Sequence, residues 1–284
     1  MTLCIRKMKI VVALFVATVM LVGSGIAQNA TMSQLAELIS LKDKIKNPDT
    51  RTRVDAFHRA WIIGLESDSF EVKMTALGLI AEPVASMSDH IRMPAVYAIV
   101  DIANSTGDTQ VKLKALSTLR EPIIAGQLPI RIAAIDAVNE IQWNSESELP
   151  VEAVKLLGEP VRSGNNGVRM PAINAIVRAV EHTHNDRAYS AALDDLVAPL
   201  DSNAVIGGME VRMMAVVAVE RIGMEATEVA TKAKALGMMQ SYSSKGSWEP
   251  EAKKRANEAV LRIQNSMKPQ RQAPPTVPGN PVGM

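Results

Sequence analysis

The chain has 284 residues, room for one or two ordinary domains or for one extended repeat array. Aromatic residues make up only 3%, against 47% hydrophobic residues, a balance that suits closely packed helices and disfavours a β-sandwich. Thirty-one basic and 30 acidic residues nearly cancel, so there is no basic footprint of the kind nucleic-acid binding leaves.

The first segment reads as a secretory signal. Arg6, Lys7 and Lys9 precede an unbroken run of small and apolar residues from Ile10 to Val22, and Gly23-Ser24-Gly25-Ile26-Ala27 supplies the small residues a signal peptidase reads. Cleavage is expected after Ala27. An uncleaved anchor is the alternative, but a spanning helix needs roughly 20 apolar residues. Cys4 precedes the apolar run, out of place for lipid attachment, and leaves with the signal. The remaining chain has no cysteine, hence no disulfide and no thiolate chemistry. It has 28 basic and 30 acidic residues. The sequons at Asn29 and Asn104 matter only on a eukaryotic secretory route.

From about Ser33 the apolar residues take helical spacing, with Leu35, Leu38, Ile39 and Ile45 on one face and Thr31 with Gln34 as a cap. Asn47-Pro48-Asp49 breaks this helix, and the next carries Val54, Phe57, Ala60, Trp61 and Leu65. A skeleton then recurs: a basic residue, small residues three and six places on, then an aliphatic. It reads Arg92, Ala95, Ala98, Ile99; Arg131, Ala134, Ala137, Val138; Arg169, Ala172, Ala175, Ile176; and Arg212, Ala215, Ala218, Val219. Worn copies begin at Arg53 and Lys253. The leading basic residues lie 39, 39, 38, 43 and 41 apart, a period that marks a repeat array.

A second element precedes each central skeleton, a helix that reaches a proline: Pro83, Pro122, Pro160 and Pro199, spaced 39, 38 and 39 apart. Proline lacks the helical N–H donor and disfavours helical geometry in the residue before it, so each first helix is expected to end or kink there. Asp68 with Glu71, and Ser147, are candidate caps. Pro94 and Pro171 fit the first turn of the second helix, or a slight kink if that helix starts earlier. Each repeat is therefore helix A, a turn, then helix B, and six such pairs run from about Ser33 to Met267. Gly164-Asn165-Asn166-Gly167 is a tight turn. Residues 202–209 form a longer loop that stretches one spacing. Beyond Met267 the prolines of residues 268–284 make a disordered tail.

The aliphatic-Arg pairs Ile91-Arg92, Ile130-Arg131, Val168-Arg169 and Val211-Arg212, with Ala-x-x-Ala-aliphatic after them and a proline in helix A, resemble the HEAT repeat family. The resemblance covers most of residues 33–267. It implies an all-α fold, an α-α superhelix in which helix B lines the concave side and the leading Arg residues join a ladder with acidic side chains. Asp89 and Glu210 are the acidic candidates here, while Gln127 and Asn165 stand at that position in the other two repeats. Packing physics agrees independently, because one amphipathic pair cannot bury its face alone whereas stacked pairs share a continuous core.

Function follows less directly. Counted from the leading basic residue, the fifth position reads His58, Tyr97, Asp136, Asn174, Val217, Glu258, and the ninth reads Ile62, Asp101, Glu140, Arg178, Arg221, Arg262. These two positions share the polar side of helix B. Tyr97, Asp101, Asp136, Glu140, Asn174, Arg178, Arg221 and Arg262 are thus the candidate binding residues, acidic in one half and basic in the other, and suited to orienting an extended protein or peptide partner. The reading against this is an ordinary solvated face. Arg92, Arg131, Arg169 and Arg212 are expected to be structural. His182 and His184, two apart in a loop with Asp186 nearby, are weak evidence for a metal site because no spacing marks a third ligand; no cofactor motif is present, and no spacing singles out an acid/base pair. Trp61, Trp143 and Trp248 suit packing near helix ends. The methionines suit core filling, with Met209, Met213, Met214 and Met224 grouped around one helix B.

The sequence thus reads as an exported, non-enzymatic binding scaffold of the periplasm or cell envelope, without a membrane span once the signal is removed. Alternatives are a structural factor that self-associates through uncapped ends, at Leu35–Ile45 or along the last helix, and an enzyme built on a helical-repeat scaffold.

Overall fold

The computed structural model describes residues 28–86, 89–142, 148–181, 183–201, 208–244 and 250–268. The leader, Trp143, Ser147, His182, residues 202–207, Trp248 and the tail from 269 on lie outside them. The described residues form twelve α-helices and no strand. These are α1 (28–45), α2 (Thr50–Glu66), α3 (Phe70–Ser86), α4 (Asp89–Asn104), α5 (Thr109–Ala125) and α6 (Leu128–Glu140). The second half has α7 (Leu149–Ser163), α8 (Asn166–Glu181), α9 (Asp186–Asp201), α10 (Met209–Glu225), α11 (Val229–Ser244) and α12 (Pro250–Ser266). They pair as six helix A–helix B repeats. Each helix A from α3 on packs on the next helix A, and each helix B on the next helix B, so the chain is a two-layer α-solenoid.

The small residues of the skeleton explain why the layers close. The third position of helix B is alanine in all six repeats, Ala56, Ala95, Ala134, Ala172, Ala215 and Ala256, and every one is buried. Each presents only a methyl group, so neighbouring helices approach closely. Gly64 and Gly223, both at the eleventh position, extend this logic. A Cβ on Gly64 would lie 2.6 Å from Ala76 Cβ, and one on Gly223 would lie 2.9 Å from Ala235 Cβ. The tenth position supplies the bulk between them, with Ile63, Ile102, Ile141, Ile222 and Ile263 all buried.

Helix ends depart from the sequence expectation in an instructive way. The prolines do not end helix A; each helix continues two or three residues beyond, to Ser86, Ala125, Ser163 and Asp201. A proline forfeits its own N–H but keeps its carbonyl, and that carbonyl accepts the closing bond of the last turn: Gly126 N–H to Pro122 O at 3.3 Å and Gly164 N–H to Pro160 O at 2.8 Å. Pro94 and Pro171 stand five residues inside α4 and α8, past the first turn, because those helices begin at Asp89 and Asn166. At the start of α3 the cap is Ser69, whose hydroxyl accepts from Val72 N–H at 3.4 Å, and not Asp68. Thr31 lies within α1, and Gln34 accepts from the Ser67 hydroxyl at 2.9 Å across the first joint.

The carbonyls left open at helix C-termini are met by two periodic sets of cations. The leading arginine of helix B reaches back eight residues to helix A. Arg92 Nε donates to Val84 O at 2.8 Å, Arg131 Nε to Ile123 O at 2.7 Å and Arg169 Nε to Val161 O at 3.0 Å. Arg212 is buried at the same position. These contacts do not form the acidic ladder that the family resemblance implies. Arg92 also meets an acid, Glu121 of the following helix A at 3.1 Å, and not the turn residue Asp89. The second set is lysine. Lys73 Nζ is buried and donates to Gly64 O at 3.2 Å and Ser105 Oγ at 2.5 Å, while Lys112, 39 residues on, donates to Gln142 O. Lys232 Nζ reaches Met224 O at 3.4 Å and Ser266 O at 3.5 Å. A cation at a helix C-terminus complements the macrodipole as well as the carbonyl. Burial pushes Lys73 and Lys112 below the usual lysine range, with Asp68 opposing the shift at Lys73.

Candidate functional site

The candidate surface is built by repetition. With the third, sixth, seventh and tenth positions of helix B turned into the core, the fifth and ninth are left one turn apart on the opposite side. His58, Tyr97, Asp136, Asn174 and Val217 are exposed at the fifth position, and Glu258 is half-buried. At the ninth, Ile62, Glu140, Arg178, Arg221 and Arg262 are exposed and Asp101 is half-buried. The structure therefore sets all eight candidate binding residues along one layer of helices, α4, α6, α8, α10 and α12.

Its electrostatics differ from the plain charge pattern. The second half is largely committed to internal pairs. Arg221 pairs with Glu181 at 2.5 Å and Glu225 at 3.2 Å. Arg262 pairs with Glu220 at 2.5 Å and Glu258 at 3.1 Å, and Arg255 adds a 2.9 Å contact to Glu220. Glu220 was not legible as a partner: it occupies the eighth position, where the other repeats hold Trp61, Val100, Asn139, Val177 and Leu261, and its side chain is only 5% exposed. In the first half no ion pair reaches Asp101, Asp136 or Glu140 among the described residues, and none reaches Arg178. The unpaired charge of this face is therefore acidic on α4 and α6, beside an exposed Tyr97, with Arg178 on α8 as an unpaired cation.

The start of the face is aromatic. Phe57 stacks on Trp61 with ring centroids 6.3 Å apart, and His58 meets Trp61 edge-on at 6.1 Å. Phe57 is buried and Trp61 half-buried, so the indole packs against the core as expected for a joint residue. Asn104 ties α4 to the end of α6 through Glu140 O at 2.9 Å and Gln142 N–H at 2.8 Å.

Other chemistry is occupied structurally. Asp186 accepts from Thr227 N–H at 3.1 Å and Glu228 N–H at 3.2 Å, holding the start of α11. His184 sits in a left-handed conformation (φ 46°) with an exposed side chain. Among the described residues no group of three or more His, Cys, Asp and Glu side chains could hold a metal. Tyr189 is buried, and burial together with the negative charges of Glu225 and Asp186 pushes its phenol up to about 12. Asp195 is buried against Gly158, where a Cβ would overlap the carboxylate, and it pairs with Arg162.

Two grooves lie in the other layer. One, about 520 Å³, runs between α5 and α7 over Leu113, Leu116 and Leu156, rimmed by Arg120, Glu148, Glu152, Lys155 and Glu159. The second, about 240 Å³, lies between α9 and α11 at Val197, Leu200, Met238 and Tyr242. Neither includes a helix B residue.

No protein family and no curated protein matches the chain in sequence. Solved structures do resemble it. A HEAT-like repeat protein of the archaeon Thermococcus onnurineus NA1 is 15% identical, with a TM-score of 0.46 over 85% of this chain and 92% of that one. A designed armadillo repeat protein, solved in complex with the peptide (KR)4, is 21% identical, with a TM-score of 0.44 over 80% and 99%. An engineered protein is 18% identical, with a TM-score of 0.45 over 81% and 97%. The first two are by name a HEAT-like and an armadillo repeat protein, and the likeness is one of fold alone.

Proposed function

We propose that the protein is an exported scaffold of the periplasm or cell envelope that holds an extended segment of a protein or peptide partner on its helix B layer and carries out no chemistry of its own. The observation that carries the reading is the division of charge on that layer. Among the described residues Asp101, Asp136 and Glu140 have no internal cation, whereas Arg221 and Arg262 are each held by two carboxylates. An unpaired carboxylate row beside the exposed Tyr97 ring favours a segment carrying Lys or Arg, the ring face and the carboxylates both attracting the cation. The segment then engages α4 and α6 first and reaches Asn174 and Arg178 on α8. Export rests on the basic-then-apolar leader of residues 1–27. No helix among the described residues is long and apolar enough to cross a membrane.

The test is parallel affinity capture from an envelope fraction with three baits: the unaltered protein, a variant with Asp101→Lys, Asp136→Lys and Glu140→Lys, and a variant with Arg221→Glu and Arg262→Glu. A partner retained by the first and third and lost by the second supports the reading. A partner lost only from the arginine variant moves the site to the second half, and one held equally by all three removes it from this face.

A further inference from the structure

Taking the helix B layer as the binding face, we infer that Arg178 and Asn174 form a carboxylate-binding subsite at the end of the acidic row. It is open because the preceding repeat presents Asn139 where an acid would close it. The joints between repeats show what meets the ninth position of each helix B. Between α8 and α10, Glu181, twelfth in its repeat, binds Arg221, ninth in the next, at 2.5 Å. The same two positions meet between α4 and α6, where Asn104 donates to Glu140 O at 2.9 Å. Between α10 and α12 the eighth position serves, Glu220 binding Arg262 at 2.5 Å. The stacking register behind these contacts recurs along the array. A Cβ on Gly64 would meet Ile102 Cδ1 at 2.8 Å and one on Gly223 would meet Ile263 Cδ1 at 2.8 Å, the eleventh position on the tenth in both the first joint and the last. A ninth side chain is thus met from the preceding helix B by the eighth and twelfth positions.

An acid at either position takes the arginine that follows out of use, as it does for Arg221 and Arg262. Ahead of Arg178 the sequence has an acid at neither. The eighth residue is Asn139 and the twelfth is Trp143, which lies outside the described residues. Asn139 does not stand in for the acid, since both atoms of its amide are buried without a hydrogen-bond partner among the described residues. Arg178 is therefore exposed and unpaired, one turn beyond the exposed Asn174 on the same helix. A carboxylate placed there receives the guanidinium fork and an amide N–H. On α6 the same two positions hold the opposite charge, Asp136 and Glu140, also exposed. Packed helices lie about 8–10 Å apart and an extended chain advances about 3.3 Å per residue, so a segment crossing from α6 to α8 spends about three residues. The partner segment accordingly carries Asp or Glu about three residues from its Lys or Arg. The order of the two charges fixes which way the segment lies, because the reverse placement sets like charges together on both helices.

The experiment supplies the missing acid. Fluorescence polarisation measures the Kd of a labelled Ser-Gly peptide carrying a lysine pair and, three residues from the nearer lysine, a glutamate, made in both orders. The control peptides have glutamine in place of the glutamate. On the unaltered protein the glutamate peptide, in its better order, is expected to bind about fivefold more tightly than its control, the gain of one exposed ionic contact. Asn139→Glu gives Arg178 the partner that Glu220 gives Arg262. It is expected to abolish that advantage without weakening the control, with circular dichroism confirming the fold. If Asn139→Glu loses its helical signal, Arg178→Gln, a change at an exposed side chain, carries the same comparison. A control that binds while the glutamate adds nothing, or an advantage that survives in the folded variant, would overturn the inference and leave the acidic row as the binding surface. Failure of the unaltered protein to bind any of the peptides overturns the inference together with that surface.

Discussion

Replacing Gly64 with alanine tests the close approach of helices on which the array depends. In an ordinary helix this change is favourable by about 1 kcal/mol, because alanine loses less backbone freedom than glycine. At Gly64 the new methyl would sit 2.6 Å from Ala76 Cβ and 2.8 Å from Ile102 Cδ1. Ala76 has no rotamer to escape into, so α2 and α3 must separate. Overpacking of this kind costs about 1–3 kcal/mol, and a contact against a fixed Cβ belongs in the upper part of that range. The net expectation is a loss of about 1–2 kcal/mol. Gly78 in α3 is the internal control, since a Cβ there meets nothing within 4 Å. Gly78→Ala is expected to gain about 0.5–1 kcal/mol. Urea unfolding followed by far-ultraviolet circular dichroism gives both shifts from the midpoints at constant slope. A Gly64→Ala protein as stable as Gly78→Ala would refute the packing argument.

Further expectations rest on the cations and the buried phenol. Arg131→Met removes the donor to Ile123 O and leaves that carbonyl open, at a cost of about 1–3 kcal/mol in the same unfolding assay. Lys73→Ala is expected to destabilise by opening both Gly64 O and Ser105, and to speed hydrogen exchange at the ends of α2 and α4 before that of α8. Tyr189 titrates at about 12 in the folded chain against 10.0 for a free phenol. Its contribution is complete below pH 10, falls between pH 10 and 12, where only the folded state retains the proton, and is lost once the pH has risen through 12. Tyr189→Phe should flatten that alkaline fall in stability and delete the late step in tyrosinate absorbance. Removing both Arg255 and Arg262 leaves Glu220 without its cations, and hydrogen exchange should then show α12 opening first.

Much of the fold was written in the sequence because its determinants are local and periodic. An alanine repeated at the third position of helix B can only mean a close joint, and the 39-residue spacing of Arg and Pro fixed the pairing of helices. Helix ends were less legible. Proline was read through the N–H it lacks, whereas its carbonyl decides that the helix runs one more turn. The arginines were expected to seek acids, but the open carbonyls at the end of helix A lie nearer. Lys73 and Lys112 passed unnoticed although each follows a valine in two helices of nearly identical pattern, Val72-Lys73 and Val111-Lys112. A lysine reads as solvated until the joint that buries it is known. The fifth and ninth positions lie along one layer of helices, as the repeat spacing implied, yet the pairing of their charges was not legible. Arg262 is neutralised by Glu220, 42 residues away, and that partner becomes visible only when successive repeats are stacked.

The measurement closest to the central claim is site-specific photo-crosslinking with the captured partner. A photoreactive residue is placed at Tyr97 or Asn174 on the helix B layer, or at Ser117 in the groove between α5 and α7. Crosslinks from Tyr97 and Asn174 with none from Ser117, weakened by added salt as a charge-guided contact must be, are the predicted result. Crosslinks from Ser117 alone would place binding in the helix A groove and contradict the account.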